Sequence, residues 1–318
     1  MAEVGCAGIL VADTFCGPMK ELPREGELLA LDSMPSRAGG CAANVAIDVT
    51  KQGAACDVIG CLGQDSSSSV VVRELEAARV GCDQIGYVPD YATSRTVILL
   101  VEGQDRRYIH MFGANAAFTV PHIPRDWLAG LKVFYLGGLF LMPSFRAEEF
   151  LELLKFCRAQ GVISVVDVVI PQHNSGVAEL ARLLPFIDYF LPNEDEARTL
   201  TGCAEPLGQV RALVEYGAGT VVVTCGMSGA VAARNAEPWR VGSFRMDAID
   251  PSGSGDAFSS GIITGILRGW ELPRTLVYAS ALGASAVRAV GTTAGVFTAA
   301  EAEAFLAIHT LQVESPRW

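Results

Sequence analysis

The chain has 318 residues, half of them hydrophobic, and its 24 basic and 35 acidic side chains leave a formal charge of −11. That much apolar sequence can bury a large core, at a length that one domain can hold, and argues against intrinsic disorder. The acidic surplus argues against nucleic acid or an anionic membrane as partner, but not against ATP, whose phosphates are met locally by glycine loops, helix ends and Mg²⁺.

Residues 4–12 are an apolar run that reads as a buried strand ending at Asp13. Open parallel sheets collect ligands at that edge, so Asp13 is either a ligand-facing carboxylate or a plain turn residue. Residues 15–36 mix polar, proline and apolar positions without a helical period. Residues 94–112 alternate across a polar turn at 102–105, which predicts a β-hairpin. The two segments, at about 14–37 and 90–113, are expected to make a small sheet standing off a single domain of residues 1–318, as a lid or an interface. Between them Gly39 and Gly40 precede small residues and a helical repeat that stops at Gly53. Helix packing explains the alanines there better than it explains the paired glycines, which suit a tight backbone approach. Asn44, on the first helical turn, can both donate and accept towards a hydroxylated ligand.

Strands at 56–61, 133–136, 162–166, 188–191 and 220–224 alternate with helical sequence such as 66–79 and 145–160. Alternation of this kind predicts a mostly parallel sheet covered on both faces. Residues 272–290 and 299–309 read as further helices. Asn193 opens a helix after Pro192, where acidic residues favour capping; Asn193 and Glu196, one turn apart, could equally hold Mg²⁺ through water beside ATP phosphates. The turn after the 220–224 strand carries Thr224, Gly226 and Gly229, as a simple β-turn or as a surface over which a nucleotide lies.

Residues 249–270 form a glycine loop feeding a helix. Gly253 and Gly255 let consecutive N–H groups converge on an anion at the positive end of a helix spanning about 256–268 and stopped by Gly269. Asp256 is then either a carboxylate that complements the helix dipole or a general base beside a transferring phosphoryl group. A simple cap needs no glycine cradle, which, with Asp250 upstream, favours the base. No GxGxxG and no GxxxxGK occurs, so neither a dinucleotide fold nor a P-loop is supported. His110, His122, His173 and His309 fall in no metal-ligand spacing. The nine cysteines are scattered without a CxxC pair and read as small buried hydrophobes in a reducing cytoplasm. No basic leader and no run near the roughly 18 apolar residues of a membrane span is present, so a cytoplasmic protein without a membrane partner is expected.

Residues 37–52 and 250–263 resemble the two signatures of the ribokinase-like, or PfkB, family of carbohydrate kinases. Residues 193–196 are similar to its Asn-x-x-Glu motif, with weaker similarity at 60–65, 113–115 and 224–229. The resemblance implies a three-layer α/β fold with a central, mostly parallel sheet and a small β lid, performing ATP-dependent phosphorylation of a sugar hydroxyl. It implies Asp256 as base and the N–H groups of Gly253, Ser254, Gly255 and Asp256 as anion hole. Asp13, Gly39, Gly40 and Asn44 would line the sugar site. Asn193, Thr224, Gly226 and Gly229 would bind ATP, Glu196 would serve Mg²⁺ through water, and Asp250 with the 291–295 loop would be the place for K⁺. Residues 137–140 depart from ribokinases, and an apolar wall of Leu139 and Phe140 suits a nucleoside base. A nucleoside kinase, or a catalytically silent ligand-binding protein, is the alternative. A phosphorylated sugar would need a basic cluster, for which Arg37, Arg106 and Arg107 are the candidates. The apolar alternation of the lid segments predicts a homodimer through the lid.

Overall fold

A computed structural model describes residues 2–170 and 177–318; His173 lies outside the described residues. The large sheet runs, in spatial order, Val313–Glu314, Glu237–Val241, Ala230–Arg234, Thr220–Thr224, Tyr189–Phe190, Ile163–Val168, Val133–Leu139, Val4–Gly8 and Cys56–Ile59. From Thr220–Thr224 to Cys56–Ile59 every pairing is parallel, and the remaining strands are added antiparallel. Side-chain alternation distributes the core over both faces. Phe134 and Leu136 pack with Phe150, Leu153 and Leu154 of the helix Ala147–Gln160 on one side. Val133 and Tyr135 pack on the other, with residues of Cys41–Lys51, Ser254–Leu267 and Leu272–Ala286. The large sheet with helices on both faces, and a smaller separate sheet, is the three-layer ribokinase-like architecture expected.

The helix Ser254–Leu267 carries Ile262 and Ile263 fully buried and is enclosed almost all round. It can be so because Gly261 and Gly265 leave no side chain where Ala279 and Thr275 of the neighbouring helix approach. This close packing fixes the helix, and with it Asp256, against the sheet. It begins at Ser254, two residues earlier than its sequence pattern suggested.

The apolar run at 4–12 proves to be two strands in two sheets rather than one. Val4–Gly8 belongs to the large sheet, and Val11–Met19 to a second sheet ordered Ser36–Gly39, Val11–Met19, Arg95–Val101, Arg107–Met111. Gly8 turns the chain with φ 135, and buried Asn115 closes the break by accepting from Leu10 N–H and donating to Leu10 C=O, each at 3.1 Å. Asp13 therefore sits within a strand of the small sheet, not at the end of a strand of the large one. The segment at 94–112 is the antiparallel hairpin its alternation indicates. Phe15, Ile98 and Leu100 make the small sheet's own apolar cluster, while Arg107–Met111 is an exposed edge strand.

Candidate active site

The leading N–H groups of Ser254–Leu267 are where an anion would dock. Gly253, in a left-handed conformation at φ 77, precedes the helix, and its side-chain position is filled by the Thr292 carbonyl. No residue with a Cβ fits there. Gly255 is the reverse case, since a Cβ on it would meet nothing within 4 Å. Ser254 N–H reaches only the Pro251 carbonyl at 3.4 Å, and among the described residues the N–H groups of Gly253, Gly255 and Asp256 find no acceptor outside the helix. These are the orphan donors of a helix start, aimed at open space.

Asp256, the third residue of this helix, is partly buried among polar side chains. Asn44 Nδ2 donates to Asp256 Oδ2 at 2.7 Å, and Thr292 Oγ1 donates to Asn44 Oδ1 at 2.8 Å. Thr292 thereby orients the amide so that its NH₂ faces the carboxylate. Asn44 thus holds Asp256, a partner that sequence reasoning had not given it. Burial pushes the Asp256 carboxyl up, with the Asn44 and Cys41 hydrogen bonds opposing the rise. Asp13 lies against Gly39, whose missing Cβ leaves room for its carboxylate. Burial pushes Asp13 up to about 7, a Thr96 hydrogen bond lowers it, and the charges of Asp256 and Asp250 add to the rise. Gly40, at φ 86, is the N-cap of Cys41–Lys51 and accepts from Asn44 N–H at 2.9 Å.

Asn193 and Glu196 form a reciprocal capping box: Glu196 N–H donates to Asn193 Oδ1 at 2.9 Å and Asn193 N–H to Glu196 Oε2 at 2.8 Å. The capping reading is thus realised, and among the described residues it leaves Glu196 Oε1 without a hydrogen-bond partner. Burial pushes Glu196 up to about 7; its Asn193 hydrogen bonds lower it, and the charges of Asp195 and Asp256 raise it. Asn193 is bridged to Thr224, which lines a cavity of about 240 Å³ with Gly226, Gly229, Ser254 and Gly255. The cavity's far wall is Phe244, Met246, Ser280, Ala284 and Val287. Asp250 is fully buried, and its two oxygens accept from Ser252 N–H at 2.9 Å and Gly291 N–H at 3.0 Å, which ties the 291–295 loop to the anion cradle.

The sequence missed Asp167. It lies in the strand Ile163–Val168, accepts from Gly138 N–H at 2.9 Å, and is pushed well above the usual carboxylate range by burial and by the charges of Asp256 and Glu196. The signal that singled out Asp13, a carboxylate closing an apolar strand, was present at Asp167 too. It missed Cys41 and Thr292 as well, and the cavity wall, whose residues carry no pattern of their own. The basic candidates are engaged elsewhere: Arg37 with Glu74 at 3.3 Å, Arg106 with Asp105 at 3.2 Å, and Arg107 with Gln104 at 2.7 Å.

Fold and site together define an α/β protein in which the N-terminus of a helix, suited to an anion, stands beside a partly buried carboxylate. The model of the pfkB family of carbohydrate kinases matches residues 1–299, so the chain belongs to that family and is an ATP-dependent carbohydrate kinase. It is similar to an ATP-dependent 6-phosphofructokinase of Thermoanaerobacterium thermosaccharolyticum, at 24% identity over 84% of each chain. It is also similar to a nucleoside kinase of Methanothermobacter thermautotrophicus, at 24% identity over 89% of each chain. Among solved structures, Arabidopsis thaliana ribokinase complexed with ribose and ATP superposes with a TM-score of 0.80 at 21% identity, over 97% of this chain and 99% of that one. No helix among the described residues is long and apolar enough to cross a membrane.

Proposed function

We propose that the protein transfers the γ-phosphoryl group of ATP to a hydroxyl of a sugar, with Asp256 as general base and the N–H groups of Gly253, Ser254, Gly255 and Asp256 as anion hole. One observation carries this reading: a partly buried carboxylate, held at 2.7 Å by Asn44, stands at the start of a helix whose leading N–H groups are free among the described residues. Phosphoryl transfer asks a protein for positioning and charge stabilisation more than for covalent chemistry. A base works best with its pKa near the working pH, and burial moves Asp256 in that direction. The acceptor is assigned to Asp13, Gly39, Gly40 and Asn44. ATP is assigned to the cavity at Thr224, Gly226 and Gly229, with Asn193 beside the phosphates.

Mg²⁺ fits Glu196, a hard oxygen donor that among the described residues has no Lys, Arg or His within ion-pairing distance. Glu196 would hold the ion through water, supplying charge neutralisation at the phosphates. K⁺ is assigned to the 291–295 loop at Asp250. Each Asp250 oxygen accepts one N–H group and keeps a lone pair for a cation, and turnover is expected to be higher in KCl than in choline chloride. The small sheet is assigned as a lid on a single domain. Its exposed apolar side chains, Leu28 at 90% and Ile109 at 64% exposure among them, support a homodimer through it.

A second reading, a nucleoside acceptor, rests on Phe140. A bulky residue at φ 81 is strained, and such strain collects at functional sites. Leu139 is buried in the core, so of the expected apolar wall only the partly buried Phe140 is left to meet a base. Coupled ADP release against sugars, nucleosides and sugar phosphates tests both readings. Turnover confined to sugars removes the nucleoside reading, and the absence of turnover with any hydroxyl acceptor overturns the proposal.

A further inference from the structure

Beside these roles, three donor atoms of unlike chemistry converge at the sheet edge. Cys41 Sγ and one carboxylate oxygen each from Asp167 and Asp256 lie within 4.8 Å of one another. The first opens the helix Cys41–Lys51, the second belongs to the strand Ile163–Val168, and the third to the helix Ser254–Leu267, so packed elements hold all three. Gly138 N–H fixes Asp167 at 2.9 Å and Asn44 fixes Asp256 at 2.7 Å, yet carboxylate oxygens keep lone pairs for a further partner.

A second observation points to a ligand. Tyr135 is fully buried, and among the described residues its hydroxyl has no hydrogen-bond partner. A Cβ placed on Gly137 would meet the Cys41 Cβ at 2.6 Å and the Tyr135 hydroxyl at 2.9 Å, so the hydroxyl and the Cys41 side chain adjoin one space above Gly137. The hydroxyl also lies near enough to Asp167 to act on its carboxyl, without completing a hydrogen bond to it. A buried unpartnered donor is costly, and it turns here towards carboxylates that have no ion-pair partner.

We infer that Cys41, Asp167 and Asp256 form a site for a thiophilic divalent cation of the Zn²⁺ or Co²⁺ kind, and that its occupation reversibly inhibits the kinase. The inhibitory half rests on the reading of Asp256 as base, because a metal-bound carboxylate cannot take the acceptor's proton. Zinc binds sulfur and oxygen ligands at about 2.0–2.3 Å, which sets donors about 3.2–3.8 Å apart in a tetrahedron. Closing the present triangle takes about an ångström of side-chain movement. Sulfur as the third donor selects against Mg²⁺, which demands hard oxygen ligands in an octahedron. Binding breaks the Cys41 S–H bond, forms a metal–sulfur bond and releases the proton to solvent, with no change of oxidation state.

The test titrates the full-length protein with Co²⁺ in the absence of nucleotide. One equivalent is expected to bind with a thiolate-to-cobalt charge-transfer band in the near ultraviolet, and excess Zn²⁺ should remove the band. Cys41→Ser and Cys41→Ala should lack it, and Asp167→Asn should weaken Co²⁺ by more than about tenfold, the least that loss of even an outer-shell partner commonly costs. In turnover at saturating Mg·ATP, buffered Zn²⁺ should inhibit the wild type, a chelator should restore it, and each Cys41 variant should keep its own zinc-free rate. No cobalt bound by the wild type, or a band that survives both Cys41 substitutions, overturns the site. Cobalt bound through Cys41 with no inhibition by Zn²⁺ overturns the inhibitory half and the assignment of Asp256 as base, leaving the metal site standing.

Discussion

Replacing Asn44 with leucine separates two accounts of this residue. In the structure the Asn44 amide donates to Asp256 at 2.7 Å and is itself held by Thr292 at 2.8 Å. Leucine keeps the branched shape of the side chain and does not weaken the helix, but removes a hydrogen bond to a charged group, worth about 1.5–3 kcal/mol. Because that bond favours the ionised carboxylate, its loss raises the Asp256 pKa further above its ordinary value. On the acid limb of the kcat/KM profile, where the proton competes, the variant should lose about 10- to 150-fold, the same energy expressed as a rate. At alkaline pH both proteins hold an ionised Asp256, and the variant should recover towards the wild type. A full profile by coupled ADP release, with the best acceptor of the substrate panel, provides the measurement. A loss equal at every pH would refute the reasoning and leave Asn44 with the acceptor contact alone.

The two glycines of the anion cradle should respond oppositely. Gly253→Ala forces a Cβ onto the Thr292 carbonyl at a positive φ and should lower Tm, whereas Gly255→Ala meets nothing within 4 Å and should leave Tm near the wild type while raising the KM for ATP. Asp48, fully buried beside Lys51, has a carboxyl that burial pushes up to about 8, against the lowering effect of Lys51. Between its ordinary value and that pH the folded chain holds a proton the unfolded chain has released. Stability therefore falls as pH rises through this window, by about 1.4 kcal/mol per pH unit for one such proton. Asp48→Asn should flatten the fall in denaturant-unfolding ΔG, and an unchanged slope would contradict the assignment. Ile109→Lys, on the exposed edge strand, should shift a lid-mediated dimer to monomer by light scattering at micromolar concentration, with Tm unchanged.

Much of this molecule is legible in its sequence because local chemistry and tertiary role coincide. Gly161 ends its helix at φ 73, where a left-handed residue closes the last turn. The strands of the parallel sheet read as apolar runs because both of their faces are buried. Legibility fails where the decision is made by a partner far along the chain. The break at Gly8 depends on Asn115, more than a hundred residues later, and moves Asp13 from one sheet to another. The hairpin of Ala230–Arg234 and Glu237–Val241 turns through Asn235 and Ala236, both at positive φ, without the glycine that marks such turns. Within the site, the glycine cradle and Asp256 were readable as a motif. Asp167 was a lone carboxylate in an apolar strand, and the bond between Asn44 and Asp256 spans 212 residues that no local pattern connects.

The central claim is that Asp256 takes the proton of the acceptor hydroxyl. Asp256→Asn keeps the shape and the Asn44 contact but removes the basic oxygen, and turnover of the best acceptor should fall by roughly 10²- to 10⁴-fold while ATP binding by calorimetry is retained. Turnover at the wild-type rate in that variant would contradict the account.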